Sequence, residues 1–593
     1  MQKRCVRKNL RNFQKCSSVV NKEIFVQSRN EYNGMLKRKQ YLYSIEKLNN
    51  LMVSLNKSSS CFWREIRSIL KPRNKVKNNI ALNDWYLYFK NVCQLCTSQP
   101  LILTEDCVVY ISDEHELGLL NSPITADEVL KVINRLKFKK APGSDLVLNE
   151  MIFYSRDVIS DTLLNIFQHL FNSRSFISEW QKSLITPILK KGDVNMCSNY
   201  RPIYLTSLLS KLFISILNNR LTLYVDNLDI LPCEQAAFRR NFSTIDHIFS
   251  LYSLVMKQFK NNKKLYVAFI DYSRCYDSIN RLAMFNVLKR YGISGNFYET
   301  LKSIYEVVFS AVKDTSTNEK TDFFDVPVGL RTGCILSPLL FNIFISEVSK
   351  SINRDGIHGV QLLANCNILH HLFYADDNCI FSTTPIGLQK KLNILYSLSE
   401  RLGLSVNLGK TKVIVFRKGG YLTANEKWHY NGQPIEIVNS YAYLGITFST
   451  RLSFTTSSMP LIAKAKKCIN EILLSLHSLT TSDINVFTKL FDTKVFPILS
   501  YGSELWGIFE IQEIERVHLY ALKRFLNVSL HTSNNKVYAE TGRFPLSINL
   551  KIKSINYWFK IRNLESTRIV NQSYQCLLNM CNNGHNNWGR GTT

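Results

Sequence analysis

The sequence predicts an α+β protein built from more than one packed unit, and three observations carry that expectation. Short apolar runs alternate with amphipathic stretches between about Thr125 and Ser449. Beyond Pro460 the pattern becomes mainly helical. The chain's 593 residues also exceed what one core usually organises. With 45% hydrophobic and 12% aromatic residues against 20% charged, a mostly disordered chain is excluded.

Taken in order, the first element is basic. Residues 1–77 hold nineteen Lys and Arg against four acids, Glu23, Glu31, Glu46 and Glu65. The whole chain carries 74 Lys+Arg against 46 Asp+Glu, a formal charge of +28, so over half the excess sits in this segment. An imbalance of that sign and size calls for a polyanionic partner, nucleic acid first and an anionic membrane surface second. Phe13, Phe25, Tyr32, Tyr41, Tyr43, Phe62 and Trp63 are interleaved at partly helical spacing. They suit a basic helical region lying on phosphate, with a solvated linker as the alternative. Residues 85–107 are aromatic and mixed, and the polar stretch 112–122 precedes a helix start. There Pro123, Thr125 as N-cap and Glu128 three residues on fit a capping box. Near the other end Ile514, Val517, Ala521, Leu522 and Phe525 share one helical face, while Arg516, Lys523 and Arg524 decorate the rest. Fifteen cysteines are scattered behind an N-terminus, MQKRCVRKNL, with no signal-peptide core, which points to a reducing compartment rather than secretion. The richest apolar run, 341–348, is broken by Asn342, Ser346 and Glu347, so no bilayer-spanning helix is expected.

Three segments carry chemistry. In LYVAFIDYSRCYDSINRLAMFNVLKRYG a buried strand over 265–270 ends at Asp271; Asp277 or Ser278 can cap the helix that follows, and Gly292 can end it. An Asp after a strand is a turn residue or, facing a cleft, a catalytic one. In LFYADDNCIFS two short strands meet at the acidic pair Asp376-Asp377. Adjacent carboxylates repel, so such a pair is either solvated or holds a divalent cation. In VGLRTGCILSPLLFNIFISEV a loop with Gly329 and Gly333 leads into a helix with Ser337 as N-cap and Pro338 at its first position. With Arg331 nearby, it suits a phosphate-bearing ligand, or is a plain connector.

FIDYSRCYDSI, GLRTGCILSPLLFNIFI, FYADD, LGLSVNLGKTKVIVF and YLGITFS occur in the order and rough spacing of the palm motifs of reverse transcriptases, in a version that resembles non-LTR (LINE-like) retrotransposons. KKAPGSD at 139–145 and TPILKKGDVNMCSNYRPIYLTSLLSKLF at 186–213 resemble the fingers motifs of that group, and FPILSYGSELWG and IERVHLYALKRFLNV its thumb region. The resemblance implies a right-hand polymerase: a basic N-terminal arm or linker over 1–109, fingers and a palm with an antiparallel sheet over 110–450, a helical thumb over 451–560 and a tail over 561–593. It implies an RNA-directed DNA polymerase that extends a DNA primer on an RNA template with dNTPs, in a nuclear or cytoplasmic ribonucleoprotein without a membrane. Asp271, Asp376 and Asp377 are then expected to hold two Mg²⁺ ions, with Mn²⁺ as a substitute. Tyr276 matches the aromatic gate that would exclude a ribose 2′-hydroxyl. Arg201, with Lys190, matches the basic fingers residues that would clamp a triphosphate. Lys410 matches a lysine proposed to protonate pyrophosphate, with Lys412 as a rival.

The sequence departs from the pattern at three positions. Thr332 stands in RTG where the family usually has Gln before Gly333, Cys275 where Ala is usual, and Tyr204 where Ser is common. These motivate the alternative of a catalytically decayed nucleic-acid-binding copy of the fold. Full-length members carry an endonuclease before the polymerase, and the first hundred residues are expected to be linker rather than that domain. A maturase would need a further DNA-binding tail, and the residues after 560 are too few for an RNase H domain. Zinc sites are weakly supported: Cys93-x-x-Cys96 lacks a second pair, and Cys576, Cys581 and His585 lack a fourth ligand. His370 and His371 are expected to pack in or beside a strand.

Overall fold

The computed structural model describes residues 2–69, 78–94, 113–314, 317, 319–354, 358–477, 483–509, 511–582 and 588. The chain forms two compact units, one made of Met1–Lys75 with Phe454–Asn556, the other of Val76–Ser453 with Tyr557–Thr593.

The larger unit holds two sheets. In the first, β1 (Lys182–Leu189) pairs antiparallel with β2 (Tyr200–Thr206). The second is centred on β3 (Leu265–Ile270), a run of apolar residues buried at every position. The first sheet continues through β4 (Phe309–Val312), parallel to β1, to β5 (Phe324–Asp325) at its edge. A short ribbon, β6 (Val360–Gln361) with β7 (Ile368–Leu369), precedes β8 (His371–Tyr374) and β9 (Asp377–Ser382). Then come β10 (Lys412–Phe416), the hairpin of β11 (His429–Tyr430) and β12 (Gln433–Pro434), and β13 (Glu436–Ile437). The second sheet has the order β13-β10-β3-β9-β8. A strand in the middle of a sheet covered on both faces has no polar side to show, which explains the unbroken apolar run of β3. Helices Ser337–Asn353 and Pro385–Leu402 supply Phe341, Phe344, Leu388 and Leu392 to the same core as Ala268 and Ile270. Elsewhere in the sheet Phe269 stacks on Tyr441, with ring centroids 4.5 Å apart.

The Thr125–Glu128 capping box forms as its spacing predicts, and Glu128 also receives Arg220 Nε at 2.7 Å. Gly292 follows helix Arg281–Arg290 at φ 77°. That helix is not capped by Asp277 or Ser278: both lie in the short helix Cys275–Ser278, and Asn280 is the cap, its side chain accepting from Ala283 N. Ser337 is the first residue of its helix rather than the N-cap, and its hydroxyl donates to Arg331 O at 2.8 Å. The aromatic residues after Trp85 lie in helix Leu82–Gln94, where Trp85 and Phe89 share a core with Ile185, Tyr200, Val312 and Phe324.

The smaller unit is helical among its described residues. Gln2–Lys15 and Val19–Lys57 pack together, with Phe13 stacked on Phe25. Helix Ser59–Ile69 then turns the segment into a core: Leu51, Phe62 and Ile66 are 0–3% exposed and cluster with Ile462, Ile469, Phe487 and Val517. Within the basic segment, Leu51, Phe62 and Ile66 are therefore packed into this unit's core. Burying a side chain of the size of Phe62 contributes about 1.5–3 kcal/mol. The expected face of helix Gln512–Phe525 is present, with Ile514, Val517, Ala521 and Leu522 buried.

Candidate active site

Asp271 leaves the buried end of β3, half-exposed, and its backbone is gripped from one segment. Its N–H donates to Thr411 Oγ1 at 3.2 Å, and its carbonyl accepts from Asn407 N at 2.7 Å. Ser273 N donates to Ser405 O at 2.8 Å. Lys410 Nζ lies 3.3 Å from Asp271 Oδ2, an oxygen that is buried and makes no hydrogen bond. Of the two rival lysines, Lys412 is turned away into β10, where it pairs with Glu436 at 2.7 Å.

The register Ile270↔Asn378 brings the end of β3 alongside the turn between β8 and β9. That turn is Ala375-Asp376, closed by Tyr374↔Asp377. Ala375 has φ 56°, a left-handed conformation that costs a residue with a Cβ roughly 1–2 kcal/mol. Behind the turn, Asn378 Nδ2 donates to Tyr272 Oη at 3.0 Å, joining the residues that follow the two acidic positions. Asp376 is half-buried, and its pKa is raised, first by desolvation and then by the charge of Asp271. Asp377 is pushed up to about 6 by desolvation, then by Asp376 and Asp271. Its side chain nevertheless faces solvent.

Tyr276, five residues beyond Asp271, stacks on Phe341 with centroids 4.5 Å apart. Its carbonyl accepts from Leu330 N at 2.8 Å, while its hydroxyl is buried without a hydrogen bond. Thr332 Oγ1 donates to Asp277 Oδ1 at 3.3 Å. Burial raises the Asp277 pKa, with Thr332, Arg274 and Lys190 drawing it down. The loop needs its glycines: a Cβ at Gly329 (φ 79°) would meet Asp277 O at 2.6 Å, and one at Gly333 (φ 87°) would meet Tyr204 O at 2.8 Å. Tyr204 is thus a floor for the loop, its ring packed against the cluster of Trp85, Phe89 and Cys93. Cys275 is buried at 3% exposure, where its small volume suffices.

Arg331 does not face a phosphate site. It is buried, donates to Trp180 O at 2.8 Å and lies over the Phe176 ring, so it holds the loop to the core. Lys190 and Arg201 do face outward. Arg201 lies opposite Ile188 in β2, Lys190 N donates to Asn199 O, and neither forms an ion pair among the described residues. Arg274 joins them as an exposed cation at φ 50° that sequence reasoning did not single out. It also passed over Gln235, whose amide oxygen accepts from Ala375 N at 3.1 Å. Gln235 sits in an irregular stretch with no periodicity to mark it, whereas Asn407 and Thr411 lie inside the quoted NLGKTK.

Among the described residues no group of three His, Cys, Asp or Glu side chains is drawn together as a ready-made metal cluster, and this includes Asp271, Asp376 and Asp377, which are neighbours by strand register. Cys93 is buried, its thiol pushed up to about 11 chiefly by desolvation, which suits a packed thiol rather than a metal ligand. Cys96 and His585 lie outside the described residues. His371 is buried in β8, bonded through Nε2 to Ser349 and held neutral by burial, its pKa lowered to about 4.

Residues 188–448, which contain the second sheet and the acidic turn, match the family described as reverse transcriptase (RNA-dependent DNA polymerase). The particular relatives are polymerases of mobile elements. The chain is 24% identical over 453 residues to the probable RNA-directed DNA polymerase from transposon BS of Drosophila melanogaster, covering 72% of this chain and 49% of the relative. It is 22% identical over 477 residues to the RNA-directed DNA polymerase from mobile element jockey of the same fly, covering 77% and 50%. The chain thus spans about half the length of these relatives. The apo telomerase structure of Candida tropicalis aligns at 13% identity and a TM-score of 0.36, over 91% of this chain and 94% of that one. No helix among the described residues is long and apolar enough to cross a membrane.

Proposed function

We propose that the chain is an RNA-directed DNA polymerase of the non-LTR retrotransposon kind, which extends a DNA primer 3′-hydroxyl on an RNA template. The observation that carries this reading is the placement of Asp271 at the end of the central strand beside the turn that bears Asp376 and Asp377, where the charge of Asp271 helps to raise the proton affinity of both and that of Asp376 adds to that of Asp377.

Such crowding is unfavourable without a counter-cation, and the hard oxygen donors suit Mg²⁺ or Mn²⁺. The buried, hydrogen-bond-free Oδ2 of Asp271 fits the same need, met here by Lys410 Nζ at 3.3 Å. Asp271, Asp376 and Asp377 would therefore hold the two ions. When bound, these would lower the hydroxyl's pKa and offset the charge leaving as pyrophosphate.

The remaining work falls to the chain's own side chains. In the transfer, the primer oxygen forms a bond to the α-phosphorus of a dNTP as the bond to pyrophosphate breaks. Arg201, exposed on β2, and Lys190, exposed just beyond the end of β1, would hold the triphosphate. Lys410 would give its proton to the departing pyrophosphate. Tyr276, fixed by Phe341 and Leu330, would present a rigid ring edge against a 2′-hydroxyl. Thr332 and Gly333 would lie against the nascent base pair. The divisions follow as proposals: arm 1–109, fingers and palm 110–450, thumb 451–560 and tail 561–593.

The test is primer extension on an RNA template with Mg²⁺ and dNTPs. Lys410→Ala is expected to lower kcat by about 10²-fold, an effect that shrinks at high pH, where a neutral amine in wild type has no acidic proton to donate. A variant with wild-type kcat and pH profile would remove Lys410 from this role.

A further inference from the structure

The acidic turn is held from outside the sheet by residues 234–237. β8 is an edge strand, and its outer backbone groups would be open to solvent without a neighbour. Instead Phe373 N donates to Glu234 O at 2.8 Å, and Ala236 N donates to Phe373 O at 3.0 Å, forming an isolated parallel bridge between Gln235 and Phe373. His247 Nε2 reaches the same Phe373 carbonyl at 2.9 Å. Asn342 Nδ2, on the helix that follows the Gly329–Gly333 loop, donates to Ala237 O at 2.7 Å.

The next edge group along β8 is the Ala375 N–H, and there the partner is a side chain. Gln235 Oε1 accepts from Ala375 N and from Ala237 N, each at 3.1 Å. Both neighbours are donors, so the amide orientation is required rather than chosen. Gln235 is wholly buried, yet its Nε2 has no hydrogen-bond partner. A buried amide left half-satisfied is unfavourable, and an apolar residue would fill the space without that penalty. What the apolar residue would lack is the oxygen that holds Ala375 at φ 56°, directly before Asp376.

We propose that Gln235 is a positioning residue: its amide oxygen locks the left-handed conformation of Ala375 and thereby sets the direction of Asp376. It links the residue before the acids to the helix behind the loop. The role rests on the polymerase reading for its catalytic consequence but not for its structural one.

Gln235→Met keeps length and volume and discards the strong acceptor, while Gln235→Glu keeps an acceptor oxygen. In the full chain without metal, hydrogen exchange at the Ala375 amide is expected to quicken by roughly tenfold or more in Gln235→Met, with residues 265–270 of β3 unchanged. Gln235→Glu is expected to keep wild-type protection at Ala375. In primer extension Gln235→Met is expected to lower kcat by about 10–100-fold with the KM for dNTP nearly unchanged. Adding Ala375→Gly, which adopts this φ without strain, is expected to return part of the lost kcat. Unchanged exchange at Ala375 in Gln235→Met, or quickened exchange through β3 as well, would overturn the proposal. So would a loss that appears in KM alone. A wild-type chain inactive on RNA would instead sink the polymerase reading, leaving the exchange result to judge Gln235.

Discussion

At the residue scale, the crowded carboxylates tie stability to activity. Asp377 has its pKa raised from an ordinary 3.8 to about 6, so between those values the metal-free folded chain binds more protons than the unfolded one. Stability from this group is therefore lost as pH rises through that window. Asp377→Asn removes the repulsion, and the metal-free variant is expected to melt at a higher temperature than wild type at pH 7–8, while its primer extension falls sharply. Equal melting temperatures would show that the three charges do not crowd one another. On the proposed function, activity in wild type should decline as pH falls into the acid range, since carboxylates that are to hold a metal must be ionised. The acids themselves were legible because two carboxylates in an apolar hairpin need a reason. That Lys410 rather than Lys412 lies beside Asp271 was not, because it depends on β10 pairing with β13, which sets Lys412 against Glu436. Arg331 misled for a similar reason: a guanidinium beside a glycine loop reads as a ligand for phosphate until Trp180 and Phe176 are seen to enclose it.

At the scale of elements, the glycine loop and the basic segment each make a claim that can be checked. Gly333→Ala introduces a Cβ at φ 87° within 2.8 Å of the Tyr204 carbonyl. It is expected to reduce primer extension by at least about tenfold through displacement of Thr332, with the fold retained by circular dichroism. Phe62→Ala should destabilise the smaller unit by about 3–5 kcal/mol in denaturant unfolding, because Phe62 shares a core with Ile469 and Phe487. A cost near zero would mean the basic segment is not packed there. The strand, turn and capping box were all readable from local pattern. The packing of helix Ser59–Ile69 was not: its partners lie some four hundred residues away in sequence, and periodicity says nothing about which face finds which. Tyr204, which looked foreign in its motif, becomes intelligible only once helix Leu82–Gln94 is seen to build an aromatic cluster beside β2.

At the scale of the molecule, the excess of positive charge divides between the basic helical segment, which carries over half of it, and the rest of the chain. Loss of residues 1–77 would also strip Leu51, Phe62 and Ile66 from the smaller unit's core, so a deletion of residues 2–43 is the cleaner probe. That deletion is expected to flatten the dependence of RNA affinity on salt, and identical slopes would deny the segment a role in binding. On the proposed function, Asp271, Asp376 and Asp377 together give this chain its polymerase activity. The most direct measurement compares wild type and Asp376→Asn in DNA-primer extension on an RNA template with Mg²⁺ and dNTPs. The account predicts template-directed product from wild type and a loss of about 10³-fold or more in the variant at unchanged template affinity. No product from wild type, or equal product from both, would contradict it.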